Sequence, residues 1–504
     1  MTGNRWSTHK QRTAAVLVAV AGVLAGCATT TAAPANPMAR FEQQELHWKS
    51  CDDPRLDPAG ARCADVTVPL NYADPAGRTL TVAISRIPAA DPGQRRGIMM
   101  SNSGGPGGPG LDYMIDIGKA LTPQGRAAYD LIGMDPRGVG RSTPLNCGWQ
   151  RGFGLESAGV DAGSFAESVA RQSELAARCA AVYGADLPQY STRNTARDMD
   201  LIRGLLGADR ISYYGASYGT YLGAVFLQMF PERADRFVLD SAVDPLRYGP
   251  AEMLRPMGPA NEAALDLWAD WTAARDGEFR LGATREQVRA TLLGLIERAG
   301  RDPIPVGKYR VDDHTLPLVP YVALDDPRNY ALLATQIRQL ADAADGKPVE
   351  PGPELDVIFA LTLDARPHDN SAQMTIMCAD VDVPRDPNWY WRNIEAARPS
   401  QPVFGAFANN ISPCAFWAPP AEPATVVGNA APALIVQSTG DTRTTYGAAQ
   451  AMREALTGSR MVTLQDVPIH AIFERYPSVC VAGAINDYFD DGALPAADYT
   501  CRAD

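Results

Sequence analysis

The stretch GASYG, Gly215 to Gly219, sets a serine between two glycines in the pattern G-x-S-x-G. A serine hydroxyl is a weak nucleophile until a neighbouring base takes its proton. The flanking residues supply the setting in which this pattern carries chemistry. RISYYGAS before it is patterned as a strand, and YGTYLGAVFLQMF after it as a helix that stops before Pro231. A sharp strand-to-helix turn exposes the serine oxygen at the helix N-terminus, where free amides favour a developing anion. Ser217 is therefore the candidate nucleophile; the alternative is a serine in a merely structural turn.

A nucleophilic serine requires a base. The histidines are His9, His47, His314, His368 and His470. His9 lies in the N-terminal segment read below as a signal, His47 beside Trp48, and His314 and His368 in a helix-rich middle region. His470, in DVPIHAIF, follows the last core strand pattern. The order nucleophile, acid, histidine is that of α/β-hydrolases, which makes His470 the candidate base. LIVQSTGD then brings Asp441 to the tip of the preceding strand, where it can accept from the second ring nitrogen. Asp466, closer to His470 in sequence, is a weaker rival. Thr444 either orients Asp441 or caps the following helix.

An oxyanion hole is expected from a glycine-rich loop after an early strand. SNSGGPGGPG, Ser101 to Gly110, follows the apolar run GIMM. The amide of Gly105, with that of Tyr218 after the nucleophile, forms the expected pair of donors; the alternative is a Gly/Pro linker.

These groups need a scaffold. RTLTVAISRI, GIMMSN, YDLIGM, RISYYGAS and RADRFVLDSAV are strand-like, and helical patterns separate the later ones. NTARDMDLIRGLLG is expected to be a helix capped by Asn194 or Thr195, with Met199, Ile202, Leu205 and Leu206 on one face. Alternation of this kind implies a mostly parallel sheet covered on both faces. After about Pro245 the pattern becomes helical, with a capping-box start at Thr284 and Gln287 and a stop expected at Gly300. The strand pattern returns at APALIVQSTGD and RMVTLQDV. The expected organisation is an α/β core (41–246), a mainly helical lid insertion (247–425) and the rest of the core with acid and histidine (426–504).

The N-terminus reads differently. Arg5, Lys10 and Arg12 precede the apolar TAAVLVAVAGVLAGC, so residues 1–26 read as an export signal. The ending LAGC is similar to a lipobox, which would make Cys27 a lipidated mature N-terminus and 27–40 a tether. The protein is then exported and held on the outer face of the cell membrane by lipid, or secreted. Eight further cysteines, Cys51, Cys63, Cys147, Cys179, Cys378, Cys414, Cys480 and Cys501, suit an oxidising compartment. They allow 105 pairings; closeness suggests pairing each with its neighbour in that order. There is no C-x-x-C and histidines are few, so no metal or other cofactor is expected. A net charge of −12 without a basic stripe argues against nucleic acid.

Together SGGPGGPG, DLIGMDPRGVGRS, NTARDMDLIR, YYGASYGTYLG, LDSAVDP, CAFW and STGD before a late histidine resemble the exported tripeptidyl aminopeptidases of actinobacteria. That family has the α/β-hydrolase fold and is related to prolyl iminopeptidases. The resemblance spans nearly the whole mature chain. It implies serine-dependent release of short peptides, typically tripeptides, from free peptide or protein N-termini, with Ser217, Asp441 and His470 as triad. Asn102-Ser103 stands where Asn-Pro is common, and Pro468-Ile469 where glycine is common; these departures bear on loop shape and substrate preference. Recognition of an ammonium calls for a carboxylate near the nucleophile. Asp380, in MCADVD, is the candidate, unless it only caps or faces solvent. A carboxylesterase or lipase with the same triad is the second reading, and a peptide-binding lipoprotein without catalysis the third.

Overall fold

The computed structural model describes residues 1–2, 36–149, 154–364 and 371–503. Residues 3–26 of the expected export signal, Cys27, most of the expected tether, His9 and His368 lie outside the described residues.

The first half of the chain lays down β1 (Arg62–Pro69), β2 (Thr79–Ile87), β3 (Gly97–Asn102), β4 (Tyr129–Met134), β5 (Ile211–Ala216) and β6 (Ala234–Asp240). A separate hairpin, β7 (Ile304–Val306) and β8 (Tyr309–Val311), follows, and β9 (Leu434–Ser438), β10 (Arg460–Leu464) and β11 (Tyr499–Cys501) return to the sheet. The nine-stranded order is β1-β2-β4-β3-β5-β6-β9-β10-β11. Pairings β1–β2 and β2–β4 are antiparallel and those from β4 onward parallel. Every residue of β4, β5 and β9 is buried, as a parallel sheet covered on both faces requires.

The side chains of β5 alternate between two cores. Ile211 and Tyr213 join Met199, Ile202 and Leu222 on one face. Tyr214 and Ala216 join Ile117, Ile485 and Phe489 on the other. The helices Thr192–Leu205 and Tyr218–Met229 thus cover one side, and Tyr113–Ala120 and Val479–Asp491 the other.

Between β6 and β9 the chain builds a third core. Helices Met257–Ala273, Arg285–Arg301, Tyr330–Ala344 and Pro353–Leu363 pack around Trp268, Leu292, Ile337 and Phe359. The stretch that follows holds the helices Ser371–Asp380 and Pro387–Ala397 and the short helix Gly405–Ala408.

Three local expectations change. The helix expected from Asn194 begins at Thr192, because Ser191 is the N-cap and accepts from the Asn194 amide. Gly300 does not end its helix, which runs to Arg301. Its missing side chain answers to packing instead: a Cβ there would lie 2.7 Å from Val160. The 22-residue helix Ala162–Tyr183 has no counterpart in the sequence reading; its buried stripe includes Ser168 and Gln172, which blur the apolar period.

Four disulfides join Cys51 to Cys63, Cys147 to Cys179, Cys378 to Cys414 and Cys480 to Cys501. This is the neighbour pairing, and it fits an exported protein. Among the described residues no helix is long and apolar enough to cross a membrane.

Candidate active site

Ser217 occupies the single residue between β5 and the helix Tyr218–Met229, with φ 57° and ψ −126°. A side chain there costs on the order of 1–3 kcal/mol and persists only where its surroundings enforce it. They do so through the Ser217 amide, which donates to the carbonyl of Asp240 at 3.0 Å, and through Thr220, whose Oγ1 donates to the Ser217 carbonyl at 2.6 Å. The turn also needs bare backbone: a Cβ on Gly219 would sit 2.3 Å from the Asn102 carbonyl.

The glycine-rich loop leaves β3 at Asn102, whose Oδ1 accepts from the Gly104 amide at 3.0 Å. Gly104 lies against the turn so closely that a Cβ would be 2.8 Å from Ser217 Cβ and 3.3 Å from the Tyr218 nitrogen. The expected donor Gly105 is the next residue, and among the described residues its amide has no acceptor. Tyr218 opens the helix, so its amide has no partner four residues back.

Asp441 lies three residues beyond β9. Its Oδ1 accepts from the amides of Arg443 and Thr444 at 2.8 and 3.0 Å, and its Oδ2 from Thr444 Oγ1 at 2.9 Å. His470 Nδ1 is 2.8 Å from Oδ2 and 3.0 Å from Oδ1. A carboxylate only accepts, so Nδ1 carries the proton and Nε2 is left free to take one. Burial opposes ionisation of Asp441, but the His470 ring and the two loop amides outweigh it and hold the carboxyl below its ordinary range. Thr444 bonds the acid rather than capping: the N-cap of helix Tyr446–Ala455 is Thr445. Asp466 is exposed and away from this pair, its amide on Thr439 Oγ1. His47 is exposed, and buried His314 is spent on the Ser157 carbonyl.

Ser217 Oγ and His470 form no hydrogen bond with each other in this structure; the base is brought to the serine's strand end by its loop. The His470 amide donates to the Asp325 carbonyl at 3.2 Å, and Arg475 Nη1 donates to the His470 carbonyl at 3.0 Å. Ala471, at φ 59°, donates its amide to Ser241 Oγ at 2.8 Å. Sequence reasoning assigned nothing to Asp240, Ser241, Asp325 or Arg475. The only signal was LDSAVDP, which carries the first two without hinting at a contact 230 residues away.

Asp380 ends the helix Ser371–Asp380, two residues beyond the bridged Cys378. Its Oδ1 accepts from the Thr192 amide at 2.6 Å and its Oδ2 from Thr192 Oγ1 at 2.5 Å. That hydroxyl's hydrogen is thereby used, so Tyr218 Oη donates to Thr192 Oγ1 across 2.6 Å. The carboxyl is thus neither solvated nor free, and is wired to the residue after the nucleophile. Tyr221 and Tyr248 stack nearby with centroids 3.8 Å apart. Burial pushes the Asp380 carboxyl up to about 7, against the Thr192 bonds that lower it. Beside the acid loop opens a cavity of about 250 Å³, lined by Val243, Asp244, Glu252, Met253, Arg443 and Thr444.

Residues 99–310 match the family described as alpha/beta hydrolase fold, and residues 401–501 that described as TAP-like protein. A tripeptidyl aminopeptidase of Streptomyces coelicolor is 32% identical over 92% of this chain and 87% of its own length. Serine protease Hip1 of Mycobacterium tuberculosis is 27% identical over 97% and 96%. A protein of Mycobacterium tuberculosis named carboxylesterase B is 30% identical over 95% and 94%. With that coverage on both sides, and a serine turn and an Asp–His pair at the ends of parallel strands, the chain belongs to the tripeptidyl aminopeptidase family of α/β-hydrolase-fold serine hydrolases.

Proposed function

We propose that this protein is an exported serine aminopeptidase that releases short peptides, tripeptides in the first instance, from free N-termini. The observation that carries the reading is the hydrogen-bonded Asp441–His470 pair, with Nδ1 at 2.8 Å, beyond the ends of the parallel strands that also carry the Ser217 turn. In the proposed cycle His470 Nε2 takes the proton of Ser217 Oγ as the oxygen attacks the scissile carbonyl. The amides of Gly105 and Tyr218 receive the oxyanion. The departing amine collects the proton from His470, and water, deprotonated by the same ring, hydrolyses the acyl-enzyme. Asp441 holds the ring and balances the imidazolium, and Thr444 holds Asp441.

Asp380 is the proposed anchor of the substrate ammonium. Its support is its carboxyl chemistry, its burial among Tyr218, Tyr221 and Tyr248, and its link to Tyr218. The helical segment 247–425 is the proposed lid over the strand ends. Cys27 is the proposed lipid attachment; labelling with a radioactive fatty acid, lost in Cys27→Ala, tests it.

The similarity to a protein named carboxylesterase B favours a second reading, ester hydrolysis with the same triad. Hydrolysis of a tripeptide-aminocoumarin with free and acetylated N-terminus, beside a short nitrophenyl ester and Ser217→Ala, separates the two. Cleavage of the free-amine peptide alone, lost in Ser217→Ala, supports the aminopeptidase. Ester turnover without peptide cleavage replaces it with the esterase.

A further inference from the structure

Asp240 is a wholly buried carboxylate at the tip of β6 that the cycle above does not use. Among the described residues no arginine or lysine forms an ion pair with it. Its Oδ1 accepts from the Ile472 amide at 3.0 Å, and its Oδ2 from the Phe473 amide at 2.9 Å and from Tyr214 Oη at 2.7 Å. A carboxylate buried without a counter-charge is costly unless hydrogen bonds replace its lost water. Here two of the donors, the Ile472 and Phe473 amides, come from the loop that carries His470; the others are Tyr214 of β5 and Ser241, whose Oγ donates to Oδ1 at 3.3 Å.

The same residue holds the nucleophile. The Asp240 carbonyl accepts the Ser217 amide at 3.0 Å, and its neighbour Ser241 accepts the Ala471 amide on Oγ at 2.8 Å. Ser217, Ser241 and Ala471 all stand at positive φ, 57°, 61° and 59°. Three strained joints that no glycine relieves therefore meet at one dipeptide, and the bonds that enforce them run through it. Ser241 is itself fixed by donating to the Val436 carbonyl of β9, the strand leading to Asp441, at 2.9 Å.

We infer that Asp240, with Ser241, is a positioning residue that sets the distance between His470 and Ser217. It grips the nucleophile turn by its backbone and the base loop by its carboxylate. Neither residue touches substrate, so the effect is on the chemical step and not on binding. An asparagine at 240 keeps the volume but turns an NH2 toward one of two amide donors, which releases one side of the loop. Misplacement of a catalytic pair by about 1 Å lowers its rate by about a hundredfold.

The inference rests on the serine-hydrolase reading, and the test keeps the two apart. The rate at which a fluorophosphonate labels Ser217 is measured in the wild type, Asp240→Asn and Ser241→Ala, each with its near-ultraviolet circular dichroism. Turnover of a nitrophenyl ester gives kcat and KM. The expected result is labelling and kcat slowed about tenfold or more in both folded variants, with KM within about twofold. If Asp240→Asn does not fold, Ser241→Ala carries the test alone. Folded variants labelled as fast as a reactive wild type overturn the inference. A wild type that takes no label overturns the reading beneath it as well.

Discussion

The amide of His470 donates to the carbonyl of Asp325, 3.2 Å away, so the candidate base is tied to the segment between β6 and β9. Arg475 closes the tie, giving Nη1 to both the His470 carbonyl and Asp325 Oδ2 at 3.0 Å. Arg443, from the acid loop, lies over the Tyr321 ring at 3.6 Å and faces Asp325 at 3.9 Å. Acid loop, base loop and helical segment thus share one polar knot. Hydrogen bonds to charged groups are worth about 1.5–3 kcal/mol. Arg475→Ala is therefore expected to lower kcat roughly tenfold to a hundredfold, measured on the ester and the peptide alike.

The same knot predicts an acid limit to stability. Burial works against ionisation of Asp325, but Arg443 and Arg475 keep its carboxyl below the ordinary value of 3.8. A group depressed on folding stabilises above its unfolded value, and loses that contribution as pH falls through the folded one. Asp441 has the same sign. The urea midpoint should fall between pH 5 and pH 3, and the fall should be smaller in Asp325→Asn, which starts from a lower midpoint.

Removal of the acid is expected to be severe. Asp441→Asn leaves the ring without its acceptor and favours the wrong tautomer, at a cost of about three to four orders of magnitude in kcat. Thr444→Val removes only the hydroxyl at 2.9 Å from Oδ2, and a loss of about tenfold is expected. Equal losses in the two variants would disprove this division of labour.

Asp380 gives a prediction about substrate. An ammonium needs the carboxylate ionised, and its carboxyl stands at about 7. The peptide amine loses its own proton near about 8. The kcat/KM for a free-amine tripeptide should rise as pH passes 7 and fall beyond about 8, and that fall is one that ester turnover does not share. Asp380→Asn should raise the peptide KM about tenfold to a hundredfold and move the ester KM far less. An unchanged preference for the free amine in that variant would remove Asp380 from the substrate site.

The bridge Cys378–Cys414 closes a loop of sequence separation 36 beside Asp380. Opening it in the double serine variant should cost about 3–4 kcal/mol on the chain-entropy account. The loss is expected as a lower Tm in calorimetry.

Much of the site was legible because its pieces are local. A serine turn needs small residues at fixed offsets, so GASYG announces itself wherever strand and helix patterns flank it. Asp441 and Thr444 lie three residues apart, and their bond is a short-range turn. The core strands show because burial on both faces demands unbroken apolar runs. What tertiary structure alone decided is contact between distant segments. Asp240 and Phe473, Asp325 and His470, and Asp380 and Thr192 meet across 233, 145 and 188 positions, and nothing in either local sequence encodes the partner. The same holds for helix Ala162–Tyr183, whose polar residues are buried only because Glu156 and Asn410 arrive to bond them. Sequence specified which residue types could act and in what order. The packing of the sheet's strand ends decided which of them meet, because that is set by the sum of many side-chain contacts and by no single motif.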